Sequence, residues 1–92
     1  MLHLMGQLAD KVKARREELG LSQTALGEIL GLVDGRSYFS RIESGKLIPS
    51  RTRVQEIEQA LSFQPHELQV AALSDERELE AARSAAPEES AA

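Results

Sequence analysis

The sequence predicts an all-α domain of five short helices. Two observations carry that prediction. Aromatic residues are confined to Tyr38, Phe39 and Phe63, so the core must be built from Leu, Ile, Val and Ala. Such a core suits helices better than a sheet, which favours β-branched and aromatic side chains. Apolar positions also recur at three- to four-residue spacing between Gly, Ser and Pro punctuation, and no stretch alternates as a strand would. With 92 residues there is room for one small domain. A core of that size is modest, which makes oligomerisation a reasonable expectation.

The first helix is predicted over Gln7–Leu19, where Leu8, Val12, Arg15/Arg16 and Leu19 share a face and Gly20 follows at the position that favours a left-handed residue. Ser22 is a good N-cap for the second helix, whose apolar face is Ala25, Leu26, Ile29 and Leu30 and which stops at Gly31. Gly27 inside that helix costs about 1 kcal/mol relative to Ala, and the usual reason for such a Gly is close approach of another helix. Leu32–Gly35 reads as a turn, and Asp34 or Gly35 caps a third helix over Arg36–Ser44 with Phe39 and Ile42 inward. Ser50 caps a fourth helix running to about Ser62 with Val54, Ile57 and Leu61 inside. Pro65 fits the first turn of a fifth, continued by Leu68, Ala71, Ala72 and Leu79. Asp75 with Glu78 three residues on has the form of a capping box, which would divide this region into two helices. From Ser84 the chain is Ala, Pro, Glu and Ser, a composition expected to be disordered.

Several function classes are excluded or disfavoured. Without cysteine there are no disulfides or thiolate metal sites, and the composition fits a reducing, cytoplasmic setting. No apolar run approaches the roughly 20 residues that span a membrane, and Met1–Met5 lacks the basic leader of a signal peptide. His3 and His66 stand far apart with no ligand cluster, so no metal is expected. No nucleophile–base pair, Gly-rich phosphate loop or supported carboxylate pair is present, so neither an enzyme nor a cofactor is expected.

The net charge of −4 would argue against a polyanionic partner if it were spread evenly, and it is not. Lys and Arg balance Asp and Glu over residues 1–68, and the whole acidic excess lies in 69–92. Between residues 36 and 53, Arg36, Arg41, Lys46, Arg51 and Arg53 face a single acid, Glu43. Binding to phosphates follows this local field and not the chain average. The third helix also has an outward side of Arg36, Ser37, Ser40, Arg41 and Ser44, rich in donors and poor in apolar bulk. A helix fits the major groove of B-DNA, where Arg grips guanine O6 and N7 with two hydrogen bonds.

The runs Leu19-Gly20-Leu21-Ser22-Gln23, Leu30-Gly31, Phe39-Ser40-Arg41-Ile42-Glu43-Ser44-Gly45-Lys46 and Pro49-Ser50 together resemble the phage-repressor family of helix-turn-helix proteins, which includes lambda repressor, Cro and the Xre-type regulators. The similarity continues through Ile57, Ala60-Leu61 and Pro65-His66-Glu67-Leu68, covering about residues 8–68. It implies a lambda-repressor-like fold with a helical or disordered C-terminal extension. It also implies that Arg36, Ser37 and Arg41 face base edges, while Gln23, Tyr38, Ser40, Lys46, Arg51 and Arg53 lie along phosphates. Glu43 is the lone acid in the basic stretch; the resemblance pairs it with Arg16 in a structural ion pair.

Two departures from the family pattern stand out. The turn before Tyr38 is about two residues longer than the common family turn, at Val33-Asp34-Gly35, which leaves the groove-facing set open between Arg36 and Asp34. Gly27 replaces the usual Ala. The expected organisation is a DNA-binding domain over 1–68, a helical extension over 69–83 suited to dimerisation, and an acidic tail over 84–92. The expected partner is double-stranded DNA, bound by a homodimer at an inverted repeat. The competing reading is an antitoxin-type module whose C-terminal region binds a protein.

Overall fold

The computed structural model describes residues 6–91, with side chains described as far as Ala81. Among the described residues the chain forms five helices and no strand: α1 Gln7–Glu18, α2 Gln23–Ile29, α3 Gly35–Glu43, α4 Arg51–Ala60 and α5 Glu67–Ala91. Their boundaries follow from local chemistry. Ser22 and Ser50 occupy extended backbone ahead of α2 and α4, and their hydroxyl oxygens accept from the Ala25 and Arg53 amides at 2.9 and 3.3 Å. The first four helices end in one motif: the amide two residues past the C-cap reaches back across the last turn, Leu21 to the Arg16 carbonyl, Leu32 to Gly27, Lys46 to Arg41 and Phe63 to Glu58. The residue between must be left-handed. It is glycine at positions 20, 31 and 45, and Ser62 at φ 59° in the fourth case.

Leu8, Val12, Leu26, Phe39, Ile42, Val54, Ile57, Leu61, Leu68, Ala71 and Ala72 form one continuous core. The reason for Gly27 lies in α3. A Cβ built on Gly27 would overlap the Cα of Gly35, and one built on Gly35 would overlap Gly27 in return. The two backbones touch where α2 crosses the start of α3, which seats the second half of the helix pair against the first. Gly35 is therefore the first residue of α3, chosen for contact. Asp34 holds the N-cap position, but its side chain makes no capping bond.

Two buried carboxylates revise the expected layout of the C-terminal half. Asp75 does not start a new helix: α5 runs unbroken through it. Its oxygens instead accept from the Gln7 and Leu8 amides, both at 3.0 Å, and so cap α1 across the molecule. Gly6, the local N-cap, has no side chain to do this, and a Cβ there would overlap the Asp75 carboxylate. Pro65 likewise lies outside α5, in the turn ahead of it. The start of α5 is served by Glu58 from α4, which accepts from His66, Leu68 and Gln69 at 3.2, 2.7 and 3.0 Å. Beyond Asp75 the helix leaves the core, and Glu76 to Ala81 are all exposed, Leu79 included. The tail expected over 84–92 falls where side chains are not described, and Met1–Met5 with His3 lie outside the described residues.

Candidate nucleic-acid interface

Helix α3 is divided lengthwise. Gly35, Phe39, Ile42 and Glu43 are buried; Arg36, Ser37, Ser40, Arg41 and Ser44 are exposed; Tyr38 is half-buried at the border. The 3.6-residue period thus places both arginines and three hydroxyls on one outward stripe. Among the described residues neither Arg36 nor Arg41 has an ion-pair partner, so both guanidinium groups keep all their donors for a ligand. Lys46, just past Gly45, and Arg51, at the start of α4, are exposed in the same way.

The one acid of this stretch is removed from the surface. Arg16 donates through Nε to Glu43 Oε2 at 2.7 Å and through Nη2 to Oε1 at 2.9 Å. Such a two-bond, charge-assisted fork is the strong form of this contact. The third guanidinium nitrogen, Nη1, donates to the Leu21 carbonyl at 2.7 Å, tying down the α1–α2 turn. Gln23 Nε2 donates to Glu43 Oε1 at 3.2 Å, so the network joins α1, α2 and α3. Hydrogen bonding to Glu43 holds the Arg16 guanidinium above its ordinary pKa. With its negative charge consumed inside, Glu43 leaves the outward stripe of α3 wholly basic and polar.

The model of a helix-turn-helix domain matches residues 7–71, from the start of α1 into α5. The chain belongs to the helix-turn-helix domain family. Neither a curated protein nor a solved structure matches it. In this helix-turn-helix domain α2 and α3 are the paired helices, held at the Gly27–Gly35 crossing, with α3 carrying the outward stripe.

The predicted site residues separate into three groups. Arg36, Ser37, Ser40, Arg41, Lys46 and Arg51 are exposed along α3, the loop after it and the first residue of α4. Arg16, Glu43 and Gln23 are brought together in the buried network, which commits the Gln23 amide nitrogen inside the protein. Tyr38 and Arg53 are brought onto one another, with the Arg53 guanidinium carbon 5.8 Å from the ring centroid. Two cations of the first helix are engaged elsewhere. Arg15 caps α4 by donating to the Leu61 carbonyl at 2.8 Å, and Lys11 lies 3.6 Å from Glu67. Sequence reasoning missed Glu58 and Asp75. The signal was there: each stands on the inward apolar stripe of its helix, Glu58 with Val54, Ile57 and Leu61, and Asp75 with Leu68, Ala71 and Ala72. A carboxylate in such a place needs a buried partner.

Proposed function

We propose that this chain is a sequence-specific DNA-binding regulator of the phage-repressor (Xre) type, acting as a cytoplasmic repressor. The observation that carries the reading is the outward stripe of α3, with Arg36 and Arg41 unpaired among the described residues and the local acid turned inward. In this reading α3 lies in the major groove. Arg36, Ser37 and Arg41 meet base edges, and Ser40, Lys46, Arg51 and the start of α2 at Gln23 meet phosphates, the usual division between reading and positioning. Each half-site of an inverted repeat takes one copy of the chain, with half-site centres about one helical turn apart. The dimer forms through the outer face of α5, where Val70 and Leu73 remain 66 and 41 % exposed, and through Leu79, 49 % exposed farther along the helix.

Selection from a random duplex library, followed by anisotropy titration at two salt concentrations, tests the reading. The expected result is a palindromic site, with Arg36→Ala or Arg41→Ala lowering discrimination at one position by a factor of about 5–150, the worth of a good bidentate base contact. Equal affinity for every duplex would refute sequence reading. A monomer at micromolar concentration in sedimentation, on and off DNA, would refute the dimer.

A further inference from the structure

The sequence groups Arg53 with Lys46 and Arg51 as a phosphate contact, but its surroundings differ from theirs. Lys46 and Arg51 are exposed and have no ion-pair partner among the described residues. Arg53 is half-buried; its Nη1 lies 2.8 Å from Glu56 Oε1, and its guanidinium sits over the Tyr38 ring. That ring in turn meets Phe39 edge-on, with centroids 5.4 Å apart and planes at 89°. Phe39 is fully enclosed in the core. A continuous stack therefore runs from Glu56 on α4 through Arg53 and Tyr38 to the core beneath α3. It spans two helices whose backbones pack mainly elsewhere, α3 on α2 and α1, and α4 on α5.

We propose that Arg53 is a positioning residue that holds α3 at a fixed attitude to α4 through the Tyr38 ring, and is not a phosphate contact. The proposal rests on the reading of α3 as the DNA-facing helix. A guanidinium already balanced by a carboxylate and laid on a ring releases few counterions when DNA arrives. Its effect on binding passes through Tyr38, which lies between Ser37 and Arg41 on α3, so a tilt at Tyr38 moves both. The stack also fixes the spacing between the base-reading stripe of α3 and Arg51 at the start of α4.

The test compares wild type, Arg53→Ala, Arg51→Ala, Tyr38→Ala, Tyr38→Phe and the Arg53→Ala/Tyr38→Ala double variant. Each is titrated by anisotropy on the selected duplex and on a random duplex across a salt series, with folding checked by circular dichroism. Expected for Arg53→Ala is an unchanged slope of log K against log salt. Affinity falls about two- to fivefold on the selected duplex only, in line with a cation–π contact at a partly exposed site. Nothing further is lost when Tyr38→Ala is already present, and Tyr38→Phe, which keeps the ring but removes the hydroxyl that Arg53 hydrogen-bonds, loses part of what Arg53→Ala loses. Arg51→Ala lowers the slope by about 0.9, one phosphate's worth. An Arg53→Ala slope that falls like that of Arg51→Ala, with equal loss on both duplexes, overturns the proposal.

A second readout needs no DNA. Tyr38 is the one tyrosine and the chain has no tryptophan, so phenolate absorbance reports this residue alone. Burial raises its pKa, and the Arg53 charge and its hydrogen bond to the phenol oxygen pull the other way, so Arg53→Ala must titrate higher than wild type. Identical titrations overturn the contact. If wild type shows no preference among duplexes, the DNA reading falls, and the titration still decides whether Arg53 sits on Tyr38.

Discussion

Replacing Glu43 with alanine removes the acceptor of three hydrogen bonds at once, two from Arg16 and one from Gln23. What remains is a guanidinium whose side chain is 11 % exposed, bonded to the Leu21 carbonyl and 3.9 Å from Glu17 at the surface. Breaking a buried pair from one side costs about 3–5 kcal/mol, chiefly because a charge is left uncompensated. The retained Leu21 bond and partial solvent access put this case near the low end, about 3 kcal/mol. A domain of this length is held by roughly 5–14 kcal/mol, so the loss is a large share of the total. It lowers Tm by about 12–24 °C, at 4–8 °C per kcal/mol for a domain of this size.

Glu43→Gln keeps one acceptor oxygen and loses about half as much. The double replacement Arg16→Met/Glu43→Leu removes both charges and fills the space, and buried pairs replaced in this way come out near neutral or better. Urea titration followed by circular dichroism gives all three values. A loss below about 1 kcal/mol for Glu43→Ala, fading in 1 M salt as exposed pairs do, would mean that the pair is not a buried one.

Gly27→Ala places a methyl group against the Gly35 backbone, which has no side chain to yield; overpacking costs about 1–3 kcal/mol, offset by about 1 kcal/mol of helix propensity. Thermal melts should show a net loss, and a variant more stable than wild type would mean α2 and α3 do not touch there. Asp75→Ala strips two amides at the start of α1 of their acceptor, one of them buried; a loss of about 2–3 kcal/mol is expected, with amide exchange fastest at Gln7 and Leu8. Ser62→Gly relieves a left-handed serine and should stabilise the fold by up to about 1 kcal/mol in the same melts. Burial raises the Tyr38 pKa above 10.0, so above that pH the folded chain holds a proton the unfolded chain has released. Stability therefore falls with rising pH from about 10 upward, and pH-dependent melts of Tyr38→Phe should lack that portion of the fall.

Much of the fold was legible because its signals are local. Apolar spacing, the Ser22 and Ser50 caps and the glycines after α1, α2 and α3 each act within about one helical turn, so the chain determines the five helices before they meet. The division of α3 into an inward Phe39–Ile42 side and an outward arginine–serine stripe is legible for the same reason. Gly27 announced a close contact without naming its partner. That partner, Gly35, was settled only when α2 and α3 crossed.

The inward acids show the limit most clearly. Glu43, Glu58 and Asp75 are each marked by position as needing a buried partner, but the partner is 8–11 residues away for Glu58, 27 for the Arg16–Glu43 pair and 67–68 for Asp75. Read locally, Asp75 offers amides a cap three residues on; in the folded protein it finds the uncapped start of α1 beside Gly6, where two amides wait without an acceptor. Most of the helices, the inward side of α3 and the basic stripe depend on neighbours along the chain and could be read from it; Leu19 and Ile29, read as inward, are instead 43 and 57 % exposed. Tertiary structure alone decided which charges are consumed inside and which face outward. Burial makes each carboxylate take whichever donors the packing brings near, and packing is set by the whole core at once.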